Sequence, residues 1–400
     1  MLQAVKHRSG SLQVPDTVVC SHCEAPSEYL YYNDGKKRSQ IRCKVCSHLS
    51  QIEKRFRIPP KTKYWCPHCG AAMYVWKHRK LETIHKCPND QCPAYLQARQ
   101  QLNSQEKKLR KQRSSQFKLR YQYREYHFTQ QQLQHAAPDP SKVNLANIHF
   151  SSNVLGLVLA FHVSFALSAR KTALVLRDVF KIHLSYQTVL NYAEAAAIYC
   201  HRFNLAYKGD IDEDSAGDET YIKIAGKYAY TFLFISAQHL KITAYHIDHS
   251  RDTLPAAIAI EEATRTAKPD QKISLYTDGN PAYATAILFI NTRRDSQNPI
   301  QHYKILGLQN LDEESELYRH FKQLIERLNR TYKYHTRSAN GFKTDNGAIS
   351  YTTLFVTHYN FLRPHMSLKY QVPIPLSELQ TIQTIQEKWC RIIRMAQRLH

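Results

Sequence analysis

Gly217 to Ile247 reads GDETYIKIAGKYAYTFLFISAQHLKITAYHI. β-branched and aromatic residues fill three runs, Tyr221 to Ile224, Tyr228 to Ile235 and Ile242 to Ile247. Gly226-Lys227 and Gln238-His239 separate them, which predicts three antiparallel strands joined by tight turns. Helical spacing follows from about Thr253 to Thr266. KISLYTDGNPAY, Lys272 to Tyr283, then reads as a buried strand, Ile273 to Tyr276, ending at Asp278 where Gly279 turns the chain. A short helix and a strand from His302 to Ile305 lead to a long helix containing LIERLNRTYKYHTR, Leu324 to Arg337. The predicted layout is mixed α/β. It places Asp218 on the first strand, Asp278 at the end of the fourth and Glu326 on the long helix.

Arg330, Lys333 and Arg337 follow Glu326 at steps of four, seven and eleven, so all four share a helical face. On an isolated helix, Glu326 and Arg330 would make an ordinary i,i+4 pair. Strand-end carboxylates can also meet a third acid arriving from a helix. Three acids at one point repel unless a cation sits among them. Oxygen ligands select hard ions, Mg²⁺ or Mn²⁺, and two such ions can stabilise an in-line displacement at phosphorus. The three basic residues would then grip phosphates. Of the other acids, Asp212, Glu213 and Asp214 read as a solvated loop. Glu219 should face the opposite side of the pleat from Asp218. Asp248 and Asp252 read as cap or surface acids. His358 and His365 read as structural or phosphate-contacting.

The chain has 400 residues with 55 Lys+Arg against 33 Asp+Glu, a formal charge of +22. Such a surplus repels itself unless a polyanion relieves it. No apolar run reaches the roughly 18 residues of a membrane span. The first residues, MLQAVKHRSGSLQ, lack the apolar core of a signal peptide. A cytoplasmic, nucleoid-associated protein with a nucleic-acid partner and no membrane partner is expected.

Eight of the ten cysteines lie in the first quarter as CSHC (Cys20, Cys23), CKVC (Cys43, Cys46), CPHC (Cys66, Cys69) and CPNDQC (Cys87, Cys92). Paired knuckles converge four thiolates into a tetrahedral zinc site. Sequential pairing gives two structural Zn²⁺ ribbons, Cys20/Cys23/Cys43/Cys46 and Cys66/Cys69/Cys87/Cys92. Spacing alone leaves crossed pairing open. His22, His48 and His68 adjoin knuckles but are not needed as ligands. Cys200 and Cys390 read as buried thiols. Lys36 to Arg38, Lys54 to Arg57 and Tyr64, Trp65, Trp76 and Lys77 interleave basic with aromatic residues. That mixture suits phosphate contact and base or sugar packing, or simply small ribbon cores.

Arg99 to Tyr126 is Gln-rich and basic and predicts a solvated helix or flexible arm on DNA. PDPSK, Pro138 to Lys142, marks a boundary. Beyond it, helices beginning near Ser168 and Ser185 give a helix-turn-helix outline, with Gln187, Thr188 and Asn191 toward base edges.

GDETYIK, YTDGNPAY and IERLNRTYKYHTR, in this order, resemble the DDE transposases of prokaryotic insertion sequences. HYNFLRPHMSL, His358 to Leu368, resembles the same family's Tyr-Asn and Arg-Pro-His signature. The resemblance spans roughly Gly217 to Pro375. It implies an integrase-like, RNase H-like catalytic domain with Asp218, Asp278 and Glu326 as catalytic metal ligands and Lys333 as the basic residue two turns beyond the glutamate. The expected map is a tandem four-cysteine zinc-ribbon region (1–98), a basic connector (99–137), a helix-turn-helix-like DNA-binding domain (138–208), the catalytic domain (209–375) and a C-terminal helix (376–400). An insertion around Asn291 to Pro299 is expected relative to compact relatives. The implied activity is binding of terminal inverted repeats, then metal-dependent strand cleavage and strand transfer into target DNA by a homodimer or higher oligomer. The rival expectation is a catalytically silent, transposase-derived DNA-binding regulator.

Overall fold

The computed structural model describes residues 3–6, 10, 13–34, 40–51, 62–113, 117–141, 143–145, 148, 150–294, 298–305 and 316–399. They divide into two units, Met1–His127 and Phe128–His400. Lys36 to Arg38, Lys54 to Arg57 and part of the expected insertion, 295–297, lie outside the described residues.

The first unit holds two small antiparallel sheets. β1 (Leu30–Tyr32), β2 (Gln40–Cys43) and β3 (Leu49–Gln51) form one, around Val14, Leu30 and Ile41. β4 (Tyr74–His78) and β5 (Glu82–Lys86) pair in the second and are followed by α1 (Pro93–Gln100) and α2 (Ser104–Gln112). α2 opens on a full capping box. Asn103 Oδ1 accepts from Glu106 N–H at 2.8 Å, and Glu106 Oε2 accepts from Asn103 N–H at 2.9 Å. β6 (Gln122–Tyr126) then pairs with β5. Part of the basic stretch expected as an arm is therefore a strand. Its alternating Gln-Tyr-Arg-Glu-Tyr lets Tyr123 pack beside Tyr64, with ring centroids 4.4 Å apart. The apolar clusters of both ribbons include their cysteines. Few other buried side chains support these loops, which is the situation in which a metal contributes folding energy.

The second unit begins with a helical layer. α3 (Ser152–Leu159) runs into a π-helical turn, Ala160–Ser164. α4 (Ala169–Phe180) is capped by Ser168, and α5 (Tyr186–Ala206) by Ser185, whose Oγ accepts from Thr188 N–H at 3.0 Å. Lys181, with φ 59°, ends α4 in the left-handed region. Both helix starts fall where the serines predicted them.

β7 (Asp214–Ile224), β8 (Lys227–Ser236) and β9 (Ile242–Asp248) form an antiparallel meander. Ala225 (φ 49°) and Gly226 (φ 78°) make the first turn, one residue earlier than predicted. Positive φ at both positions is the hairpin geometry that matches strand twist. α6 (Thr253–Thr264), β10 (Ser274–Thr277), α7 (Pro281–Asn291) and β11 (Gln301–Lys304) follow. β10 runs parallel to both β7 and β11, so the strand order is β11-β10-β7-β8-β9. Three antiparallel strands continued by two parallel ones, with helices on both faces, is the predicted RNase H-like arrangement.

α8 (Arg319–Arg337) and α9 (Asp345–Thr357) cover one face of this sheet, against Leu233, Ile235 and Ala216. α6 and α7 cover the other, against Phe232 and Phe234. The period-two alternation of β8 produces this split. Gly217 lies opposite Phe234, and a Cβ at Gly217 would sit 2.2 Å from that ring. Glycine is therefore required immediately before Asp218. α10 (Ile385–Gln397) returns to pack the fully buried Trp389 into the α3–α5 layer, and Trp389 Nε1 donates to Ser164 Oγ at 2.9 Å. None of the described helices is long and apolar enough to cross a membrane.

Burial holds several histidines of this unit neutral. His135, His201, His246 and His335 are pushed down to about 4, and His358 to about 3. Unfolded histidine titrates near 6.5. The stability these groups contribute is thus complete above about pH 6.5 and is lost as pH falls toward about 4. Unfolding near pH 5.5 should take up two or more protons, steepening acid destabilisation to about 2.7 kcal/mol per pH unit or more. Urea titrations from pH 7.5 to 5 check this. An unchanged midpoint across that range is the contrary result.

Candidate catalytic and metal sites

Tetrahedral zinc with Zn–S bonds near 2.3 Å requires sulfur–sulfur edges of about 3.8 Å. Cys20–Cys46 and Cys23–Cys43 stand 3.6 Å apart, Cys69–Cys87 3.6 Å and Cys66–Cys92 3.8 Å. The four sulfurs of each set fall within 4.8 Å of one another. The ribbons therefore use sequential pairing, and the crossed alternative is excluded. His22 and His48 stack on each other at 5.2 Å, and His68 packs against Tyr121. None joins a cysteine set. Cys200 and Cys390 are buried apart, with Cys390 Sγ donating to Ser152 O at 3.0 Å.

The second candidate centre lies on the sheet of the second unit. Asp218 is on β7 opposite Leu233, on the α8 side. Asp278 is the first residue after β10, which pairs with β7 through Tyr276 and Ala216. Adjacent parallel strands in the interior of the sheet thus bring both acids together. Carboxylate oxygens of Asp218, Glu219 and Asp278 lie within 4.8 Å of one another. Glu326, on α8, is not in that group.

Asp218 is held on all sides. Its Oδ1 accepts from Glu219 N–H at 3.0 Å and its Oδ2 from Asn329 Nδ2 at 3.1 Å. Lys322 Nζ lies 3.5 Å from Oδ2, with both side chains nearly buried. Burial pushes Asp218 up to about 6. Lys322 opposes this, while Asp278 and Glu219 add to it. Asp278 Oδ1 accepts from Asn280 N–H at 3.0 Å. Lys322 and Asn329 stand four residues before and three after Glu326, so they flank it along one side of α8. That side meets Asp218, and Glu326 sits between the two residues that touch it. Tyr332 anchors the helix, its hydroxyl 3.2 Å from Thr231 Oγ1 and 2.7 Å from Thr352 Oγ1. Phe321 stacks on Tyr276 at 3.7 Å.

Glu219 corrects one expectation in part. Its strand position does face the α6–α7 side, opposite Phe232. Its carboxylate nonetheless reaches the acid pair, because Asp278 lies beyond the end of β10. Asn280 Nδ2 donates to Glu219 Oε1 at 2.9 Å and Tyr283 OH to Oε2 at 2.6 Å. Glu219 thus ties the start of α7, and with it the Asp278 turn, to β7. Asp212 is a second correction. It is no solvated acid. It is buried, and Gln238 and His239 N–H donate to its Oδ2 at 2.9 and 3.0 Å. Burial works to raise it, but His239 and Gln238 together hold it below the usual range. Asp214 belongs to β7 and accepts from Tyr276 OH at 3.0 Å. Asp248 accepts from Ser250 N–H, and Asp252 occupies the N-cap position of α6.

Arg330, Lys333 and Arg337 lie exposed along α8, with Lys333 Nζ 4.6 Å from the Tyr221 ring centroid. Gln187 is exposed and donates to Asn191 Oδ1 at 2.9 Å. Thr188 is partly covered, its hydroxyl 3.0 Å from Ser185 Oγ. His358 is buried with Nδ1 3.1 Å from Ser164 Oγ, and His365 bridges to Gln371 through the backbone. Sequence reasoning missed Lys322 and Asn329. Their spacing from Glu326 was the available signal.

Residues 215–349 match the family model of a transposase DDE domain. No curated protein matches the chain. Among solved structures, the HTLV-2 integrase catalytic core in complex with magnesium is similar at 13% identity and a TM-score of 0.27, covering 41% of this chain and 94% of that one. An intasome structure of simian T-cell lymphotropic virus is similar at 17% identity and a TM-score of 0.28, covering 58% of this chain and 74% of that one. The acid pair lies within the segment that the family model matches, so residues 215–349 of this chain are a DDE domain.

Proposed function

We propose that the chain binds the terminal inverted repeats of an insertion sequence, cleaves one strand at each end and joins the freed 3′-hydroxyl to target DNA. The observation that carries this is the half-buried Asp218–Asp278 pair, on β7 and just past the end of the neighbouring strand β10. Crowded carboxylates, one of them pushed up by burial, form the donor set a hard divalent cation satisfies. Asp218, Asp278 and Glu326 would hold Mg²⁺ or Mn²⁺. Such an ion, when bound, supplies Lewis acidity and activated water for in-line attack at phosphorus.

The chain's own residues supply position and charge. Asn329 fixes the Asp218 carboxylate, and Glu219 fixes the turn that carries Asp278. Arg330, Lys333 and Arg337 would hold phosphates flanking the scissile one. Gln187, Thr188 and Asn191 would read base edges from the start of α5. Two structural Zn²⁺ would hold the ribbons. Two ends cut together require at least a dimer. A nucleoid location in the cytoplasm follows from a DNA substrate.

Lys322 and Asn329 already satisfy Asp218, and Glu326 stands outside the close group. That arrangement favours a second reading, the silent DNA-binding regulator. Incubation with a terminal-repeat duplex and Mg²⁺ separates the two. Metal-dependent nicking at the repeat ends and joined products support the transposase. Tight binding without cutting supports the regulator.

A further inference from the structure

The DDE domain match leaves the first unit without a role. Its second ribbon carries a specific surface. β4 is the edge strand of the β4-β5-β6 sheet, and its register with β5 slips between Val75 and Lys77. Trp76 is therefore the extra residue of a β-bulge, a device that re-aims a side chain. Lys77 Nζ and Lys86 Nζ lie 4.3 and 4.6 Å from the Trp76 ring centroid, so two ammonium groups share one indole. Tyr74, opposite Lys86 in the β4–β5 register, is 40% exposed.

From there the cations continue. Arg120 Nη1 donates to the carbonyl of Cys87, the residue after Lys86, at 3.4 Å. The Arg120 guanidinium lies 4.8 Å from the Tyr95 ring centroid, and Arg110 Nη2 donates to Tyr95 OH at 2.9 Å. Arg110 in turn lines an open cleft between α1 and α2 with Arg99, Lys107 and Lys111. Contacts thus link Trp76 on β4 to the basic cleft of α2.

The nearby acids are already committed. Glu82 pairs with Arg79 and Arg124, Asp90 with Arg120, and Glu106 closes the capping box. Among the described residues, no carboxylate pairs with Lys77, Lys86, Arg99, Lys107, Arg110 or Lys111. So many like charges on a small metal-held ribbon cost self-repulsion that a polyanion relieves. A phosphodiester backbone supplies regularly spaced negative charge, and exposed aromatic rings beside the cations suit its sugars.

We propose that this stripe, from the Trp76 bulge across Tyr95 to the α1–α2 cleft, binds the backbone of duplex DNA and makes the second ribbon a DNA clamp. The choice of DNA as the polyanion rests on the proposed transposase reading. The stripe itself lies outside the catalytic domain.

The test uses the full zinc-loaded chain and a labelled 30-bp DNA duplex without Mg²⁺, so no strand is cut. Lys107→Glu with Lys111→Glu changes two exposed helix positions, and zinc content reports that the ribbon stays folded. The dissociation constant should rise about tenfold or more, and the log–log salt slope should fall by about two. Trp76→Ala should weaken binding several-fold, while Trp76→Phe restores most of it. Zinc-loaded variants binding within twofold of the native chain, with the salt slope unchanged, overturn the proposal. Loss of binding to an RNA duplex alone overturns DNA as the occupant. Mg²⁺-dependent cutting, assayed separately, reports on the catalytic reading. Its absence alongside weakened binding by the Lys variants would leave the clamp standing and the transposase reading fallen.

Discussion

Glu326→Gln protein should bind a terminal-repeat duplex as tightly as the native chain and cut it about 10³-fold more slowly. The substitution keeps shape and removes one negative charge. Glu326 is only partly buried on α8, and the isosteric change should leave the fold intact. Its neighbours Lys322 and Asn329 contact Asp218, which places the lost charge beside the acid pair. In the proposed reading, binding rests on the basic face of α8 and on surfaces elsewhere in the chain. Gel assays of nicking and joining, with anisotropy for binding, separate the two effects. Cutting retained within a few fold would remove Glu326 from the catalytic set.

The second large effect concerns zinc. Cys92→Ser should lower the zinc content from two ions per chain to one and unfold the second ribbon. Structural zinc contributes an apparent 10–16 kcal/mol or so in small domains, more than the few buried side chains around Met73, Tyr95 and Ala71 can replace. The Phe128–His400 unit has its own clusters, including Trp389, Tyr283 and Tyr332, and should keep its thermal transition. Metal analysis together with calorimetry checks both halves. A ribbon that stays protected from protease after losing its ion would contradict the zinc assignment.

Much of the catalytic sheet was legible because its strands carry strong local signals. The β7–β8 turn and the alternation in β8 fixed pairing and faces, and the serines ahead of α4 and α5 fixed their starts. The cysteine knuckles fixed the ribbons, leaving only the partition between sites to geometry. What stayed hidden was non-local. Asp212 reads as an acidic loop residue until the β8–β9 turn folds over and donates two N–H groups to it. β6 reads as a basic arm because its partner strand lies far upstream. Glu219 shows the limit of the period-two rule. The rule gave its face correctly, but a carboxylate is long enough to reach past a strand end.

The central claim is that Asp218, Asp278 and Glu326 hold the same ion, and a crystal structure with Mn²⁺ tests it most directly through anomalous scattering. The account predicts manganese between Asp218 and Asp278, with Lys322 withdrawn and the Glu326 carboxylate in or next to the coordination shell. Manganese held by Asp218, Asp278 and Glu219, with Lys322 still on Asp218 and Glu326 turned to solvent, would contradict it.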